Sequence, residues 1–316
     1  MLDVRRMRVL REVASRGSFS GAAEALSFTQ SAISQQIAAL EREAGTKLVE
    51  RGSRGIRLTE AGEVLVRHAE AILARLSTAE EELAALAGLK GGRLRLSTFQ
   101  SAGATLLPRA VAEFHTRYPD VELGLCEAEP EEATAMLRNG EIDLALVYDF
   151  PKGDPLALDE SLVLTHLIDD RYDVLVSRDH PLAEKSRVRL ADLSEETWIN
   201  STPGCGCRIA VDMACKQAGF EPRVAFETDE ILAQQALVAS GMGVALMPQL
   251  GLTAVHPGVK VLPAGQSAPV RRIWGARLRE AYESPATSAM LRILVDIAEE
   301  FKPQVKSVPE PEIAVA

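Results

Sequence analysis

Cysteine is scarce: four in 316 residues, at 126, 205, 207 and 215. That is too few for a disulfide-built scaffold, and a reducing cytoplasmic setting is expected. Aromatic residues make up only 4%. Long apolar runs are missing as well; none approaches the roughly 18 residues of a membrane span. The opening stretch MLDVRRMRVLREVA is basic and lacks the apolar core, roughly 7–15 residues long, of a secretory signal. Catalytic signatures are equally thin. There is no Gly-x-Ser-x-Gly elbow, no His-Glu-x-x-His and no phosphate loop, and the histidines are scattered at 68, 115, 166, 180 and 256. Gly204-x-Gly206 and Gly241-x-Gly243 each lack the third glycine of a dinucleotide fingerprint. No enzyme, cofactor or metal site is expected.

The chain does have the makings of a globular core, with 47% apolar and 25% charged residues. Its length suggests two domains or more. Net charge is −10, but residues 1–60 hold ten basic and seven acidic side chains, and the remainder 25 and 38. A basic head on an acidic body points to a polyanion partner for the head alone.

Within the head, Leu2, Leu10, Val13 and Ala14 form one stripe of a helix that stops at Gly17. Ser18 or Ser20 can cap a second helix carrying Ala22, Ala23, Ala25 and Leu26. After the turn Ser27-Phe28-Thr29, a third helix from about Gln30 to Ala44 buries Ile33, Ile37 and Leu40 and stops at Gly45. Its other faces present Gln30, Ser31, Ser34 and Gln35. Paired small residues suit the steep crossing of a helix-turn-helix. Amide and hydroxyl side chains near a helix start suit base edges in the major groove. Beyond lies LVERGSRGIRLT, a wing with Arg51, Arg54 and Arg57 for phosphates or a narrow minor groove. Spacing alone also allows an ordinary three-helix subdomain with a solvated polar face.

The ordered residues of SFSGAAEALSFTQSAISQQIAALEREAGTKLVERGSRGIRLTEAG resemble the winged helix-turn-helix of LysR-type transcriptional regulators. The shared features are the paired alanines, the Gln-Ser-Ala-x-Ser start, Leu-Glu, the following Gly, Arg51 and the Leu-Thr-x-Ala-Gly close. Val49 departs from the family's usual Phe at a core position. The resemblance implies that Gln30, Ser31, Ser34 and Gln35 read bases of double-stranded promoter or operator DNA. It also implies that Arg51 and Arg54 serve wing and backbone positions.

From Thr59 to Leu86 one proline-free run places Leu65, Ala69, Ile72, Leu76, Ala79, Leu83 and Leu86 at alternating steps of four and three. This heptad seam spans about four heptads, ~40 Å at 1.5 Å per residue. It favours a dimer over packing on the chain's own domain. The family resemblance implies a homodimer through this linker helix, often paired into a homotetramer, with RNA polymerase as a further partner.

After a hinge at Gly91-Gly92, apolar strands alternate with helical stretches, predicting a parallel sheet with crossover helices. The expected architecture is α/β with an N-terminal all-α winged helix-turn-helix domain (1–59), a long linker helix and hinge (60–90), and a two-lobed periplasmic-binding-protein-like effector domain (91–302). A proline-rich tail (303–316) is expected to be disordered. The family resemblance extends over the effector domain and implies a small-molecule effector bound between the lobes. Ser101 matches a family contact position. Thr98, Gln100, Tyr148, Ser201, Thr202 and Thr228 join it as candidates, with loop capping the alternative for each Ser and Thr. Tyr148 and Pro130 depart from positions where aromatic-acid sensors carry Arg and Ser/Thr, which weakens the expected claim on a dicarboxylate. Tyr148 is open to ring stacking or one hydrogen bond.

Cys205, Cys207 and Cys215 raise a rival reading, thiol-based redox sensing. Cys207 is expected in the first turn of a helix, its thiol favoured as thiolate by the dipole and by Arg208. Cys215 falls near a position used by peroxide-sensing members. On one intact helix Cys207 and Cys215 lie ~12 Å apart, beyond the roughly 7 Å limit for disulfide Cα atoms.

Overall fold

The structure, a computed structural model, describes residues 1–52, 55–86, 92–151, 159–279, 281 and 283–301. Arg54, Gly91 of the expected hinge and the 303–316 tail lie outside the described residues. Two compact units are defined by internal contacts: Met1–Arg95 with Asp120–Gly124 and Glu131–Asp143, and Leu96–Pro119 with Leu125–Pro130 and Leu144–Ala316.

In the head, Asp3 caps α1 (Val4–Arg16) by accepting from the backbone of Arg5 and Arg6, and Gly17 ends it at φ 62°. Of the two serines, Ser18 caps α2 (Phe19–Leu26) by accepting from the Gly21 N–H. The turn is sharp because Ser27 adopts a left-handed φ of 56°. Thr29 then caps α3 (Gln30–Ala44), which stops at Gly45. Strands β1 (Val49–Gly52) and β2 (Gly55–Leu58) pair antiparallel, with Arg51 opposite Ile56.

Leu10, Val13, Ala22, Ala23, Ile33, Ile37 and Leu40 pack into one core, joined by Met7 and Val9 of α1. Val49 packs against it half-buried. The Leu40-Glu41 and Leu-Thr-x-Ala-Gly signatures have a mechanical basis. Glu41 accepts from the backbone N–H of Leu48 at 3.0 Å and from Lys47 Nζ at 2.7 Å. Thr59 Oγ1 donates to the Lys47 carbonyl at 2.7 Å and accepts from the Gly62 N–H at 3.1 Å. A Cβ on Gly62 would stand 2.0 Å from the Leu48 carbonyl oxygen, so only glycine fits there.

Helix α4 runs Glu60–Leu86, and its seam divides. Leu65 and Ala69 are buried in the head core. Ile72, Leu76 and Leu83 are 40%, 47% and 66% exposed. The first two seam positions therefore serve the chain's own domain, a correction to the uniform seam expected from the heptad pattern.

The remaining elements, in chain order, are β3 (Gly92–Thr98), α5 (Gln100–Gly103), α6 (Leu106–Arg117), β4 (Val121–Glu127), α7 (Pro130–Arg138), β5 (Leu144–Asp149), β6 (Leu162–Ser177), β7 (Thr197–Asn200), α8 (Gly206–Gln217), β8 (Arg223–Glu227), α9 (Ile231–Ala239), β9 (Ala245–Pro248), β10 (Val259–Pro263), β11 (Val270–Leu278) and α10 (Pro285–Phe301). The main sheet runs β10-β6-β11-β5-β3-β4, with β9 also on β6. It is mixed rather than wholly parallel: β3 and β5 are parallel, but β11 is antiparallel to both β5 and β6. Strand β6 is 16 residues long. Its first part pairs with β11 and its last part with β9 and β10, so one strand is shared by both lobes. The second lobe packs Tyr172, Val174, Trp198, Val211 and Cys215 into its own core.

Candidate functional site

Two features concentrate unspent polar chemistry. On α3, the apolar side holds Ile33, Ile37 and Leu40 at no more than 2% exposure. Gln30, Ser31 and Gln35 are exposed and Ser34 is half-buried. Ser31 Oγ lies 3.0 Å from Thr29 Oγ1, at the capped start of the helix. Arg57 on β2 is exposed. Arg51 is placed on β1 by its backbone register.

The second feature is a cluster where the lobes meet. Arg271 of β11 stands opposite Asp170 of β6 in the ladder. Its Nε donates to Asp170 Oδ2 at 2.9 Å, and its Nη2 to Ser101 Oγ at 2.5 Å. The guanidinium carbon lies 4.9 Å from the Phe99 ring centroid and 5.1 Å from that of Tyr148. Tyr148 OH donates to Glu129 Oε2 at 2.7 Å, and its ring meets Phe99 edge-on at 4.9 Å. Burial pushes the carboxyls of Glu129 and Asp170 up, against hydrogen bonds from Tyr148 and charge from Arg271 that pull them down.

Cys207 completes the cluster. Its Sγ lies 3.4 Å from Tyr148 OH and 4.0 Å from Arg271 Nη1. A hydrogen bond from Cys205 is the largest influence on the thiol. With Arg271 and two tyrosines it outweighs burial and lowers the pKa to about 5. Arg208, expected to supply that positive charge, instead pairs with Asp212 at 2.8 Å and Glu227 at 3.0 Å. Cys215 is fully buried in the second-lobe core, and burial pushes its thiol up to about 12. It shares the intact α8 with Cys207.

The other nominated residues fall into two sets. Gln100 Nε2 reaches Glu230 Oε2 at 2.9 Å, and Ser101 and Tyr148 sit in the Arg271 cluster. Thr98 is buried and donates to the Phe99 carbonyl at 3.2 Å. The Ser201 carbonyl accepts from Arg208 Nη1 at 3.0 Å. Thr202 is held by Asp229, its N–H donating at 3.0 Å, and Thr228 Oγ1 accepts from the Glu230 N–H at 3.2 Å. The last three serve loop geometry in this structure. Arg271 escaped sequence reasoning: no motif marks it, and only the β6–β11 register shows that it turns inward. It also restores the cationic group that Tyr148 in place of Arg had removed from the expected cleft.

A winged helix-turn-helix head followed by a two-lobed α/β domain defines a DNA-binding transcriptional regulator with an effector-binding domain. The family models match accordingly: "Bacterial regulatory helix-turn-helix protein, lysR family" over residues 4–63 and "LysR substrate binding domain" over 87–299. The chain belongs to the LysR family. Among curated relatives, the probable HTH-type transcriptional regulator LrrA of Synechococcus elongatus is 33% identical over 305 residues, 95% of this chain and 99% of that protein. The crystal structure of full-length CbnR complexed with its target DNA superposes with a TM-score of 0.70 at 23% identity, over 94% of this chain and all of that one. The Synechocystis CcmR regulatory domain in complex with 2-PG gives a TM-score of 0.58 at 28% identity, over 66% of this chain and 98% of that one. No described helix is long and apolar enough to cross a membrane.

Proposed function

We propose that α3 enters the major groove of operator DNA. Gln30, Ser31, Ser34 and Gln35 reach base edges there, and Arg51 and Arg54 of the wing hold the backbone. The observation that carries this reading is the division of α3, apolar side locked in the head core and Gln30, Ser31 and Gln35 exposed. The CbnR–DNA complex supports the same use of the shared fold. Residues 1–59 act as the DNA-binding domain, 60–90 as linker and hinge, and 91–302 as the effector domain. The exposed Ile72, Leu76 and Leu83 pair with a second copy, giving a homodimer and, by pairing of dimers, a homotetramer. Such a regulator works in the cytoplasm and signals to RNA polymerase; it catalyses no reaction.

Its effector is a small molecule bound between the lobes at the Arg271 cluster, with Gln100, Ser101 and Tyr148 as first contacts. The CcmR–2-PG complex supports a small-molecule input for this domain type. Selecting duplexes from a random pool with full-length protein, then measuring affinity of Gln35→Ala and Arg51→Ala, tests the DNA half. Loss in both variants is expected; unchanged binding in both contradicts it. A thermal-shift screen of small anionic metabolites tests the effector half, since a ligand of the folded state raises the melting temperature.

A further inference from the structure

The Arg271 cluster holds hydrogen-bonding capacity of both signs that the protein itself leaves unused. On the acceptor side stands Glu129, in the turn between β4 and α7. It is exposed, and its Oε2 accepts from Tyr148 OH at 2.7 Å. Among the described residues no cation pairs with it, and its Oε1 has no hydrogen-bond partner. Arg271 closes its own ion pair on Asp170 at 2.8 Å, and Arg208 is taken by Asp212 and Glu227. Burial disfavours the Glu129 charge, and Cys207 and Asp229 add to the negative charge around it. A ligand that is only an anion would aggravate this imbalance, whereas an ammonium group would answer it.

On the donor side, Ser101 Oγ accepts from Arg271 Nη2 at 2.5 Å. Among the described residues no acceptor takes the proton of that hydroxyl. Tyr172 is 2% exposed, its ring centroid lies 6.0 Å from the guanidinium carbon, and its hydroxyl has no hydrogen-bond partner. A buried hydroxyl without a partner is rare in a native fold and fits a site that a polar ligand completes. Tyr148 bridges the two sides, with Glu129 at its hydroxyl and the Arg271 guanidinium 5.1 Å from its ring centroid. A small ligand with a positive and a negative group close together can meet both.

We propose that the effector is an α-amino acid, its ammonium group paired with Glu129 and its carboxylate held by the hydroxyls of Ser101 and Tyr172. This rests on the reading that a small molecule binds at the Arg271 cluster, and it names the chemical class of that molecule. Glu129 is the residue that selects for the amine. Its free oxygen accepts from the ammonium group, while Tyr148 holds the other oxygen in place. A hydroxy acid of the same shape brings no positive charge and leaves the carboxylate unmatched, so a site built this way discriminates against it.

Full-length protein is screened by thermal shift against the common L-α-amino acids and, side chain for side chain, the matching 2-hydroxy acids; affinities of the hits follow by isothermal titration. At least one amino acid is expected to raise the melting temperature, and its hydroxy counterpart to bind at least about tenfold more weakly. In Glu129→Gln that preference is expected to shrink to within about threefold, because the neutral amide no longer distinguishes ammonium from hydroxyl. The preference is a ratio measured on one protein, so a general loss of stability in the variant does not imitate the result. A hydroxy acid that binds as tightly as its amino acid, a preference undiminished in Glu129→Gln, or no stabilisation by any amino acid would overturn the proposal. An anion without an amine that binds and loses affinity in Ser101→Ala would overturn the amino-acid class while keeping the site; a ligand indifferent to both Ser101→Ala and Glu129→Gln would remove the site as well.

Discussion

Arg271 and Asp170 face each other across the β6–β11 ladder and close an ion pair at 2.8 Å, with side chains 3% and 1% exposed. Neither charge has water to fall back on. Their pairing sits where β6 passes from one lobe to the other, so this buried ion pair is placed to feel lobe movement.

Removing one partner leaves the other charge uncompensated. Arg271→Met is expected to destabilise the protein by about 3–5 kcal/mol, whereas Arg271→Met combined with Asp170→Asn recovers much of that loss. Urea unfolding of the single and double variants measures both. Equal destabilisation in the two would show that the buried Asp170 charge is not the cause.

The division of α4 predicts separable defects. Leu65→Ala is expected to cost the head about 2–5 kcal/mol by opening its core. Leu76→Asp with Leu83→Asp should leave the head folded but dissociate the proposed dimer, as read by sedimentation equilibrium and circular dichroism. A dimer that survives the double aspartate variant places the interface elsewhere.

Glu41 ties α3 to the strand entry. Burial alone would raise its pKa, but donation from Lys47 and from the Leu48 and Val49 backbone outweighs this and holds it below the usual glutamate range. A carboxyl depressed in the folded state contributes stability that is present above its unfolded value and lost as pH falls through the folded one. Thermal melts from pH 6 to pH 3 should therefore show a steeper acid loss in wild type than in Glu41→Gln. Parallel curves would deny Glu41 that role.

Effector response should depend on Ser101. Ser101→Ala is expected to weaken the ligand found by thermal shift about tenfold, roughly 1.4 kcal/mol, consistent with one lost hydrogen bond to a charged group. Its DNA affinity without ligand should match wild type. An unchanged ligand affinity would remove Ser101 from the site.

Local signals were legible wherever short-range physics decides structure. Ser18 before a helix and Gly17 or Gly45 after it mark ends because orphan backbone groups must be satisfied there, whereas the Asp3 and Thr29 caps emerge only in the structure. Ile33, Ile37 and Leu40 mark the inner face of α3 by spacing alone. The strand–helix alternation was legible too, but not the antiparallel return of β11, which depends on a partner 100 residues away. For the same reason Arg271 was invisible: an arginine in a strand carries no mark of the side it faces. Arg208 was the expected partner of Cys207 because it is adjacent in sequence, yet Asp212 one turn on and Glu227 on β8 claim it. The heptad pattern of α4 reads as one stripe in the sequence, but a stripe does not declare that its first turns serve the head.

Fluorescence anisotropy of full-length protein, on a duplex that wild type selects from a random pool, tests the central claim about α3 most directly. Gln35→Ala is expected to weaken specific binding by about 1–3 kcal/mol with the salt slope unchanged, because a base contact is lost and no phosphate contact. Arg51→Ala is expected to lower the slope by about one. Wild-type specific affinity retained by both Gln35→Ala and Gln30→Ala would contradict a base-reading role for this helix.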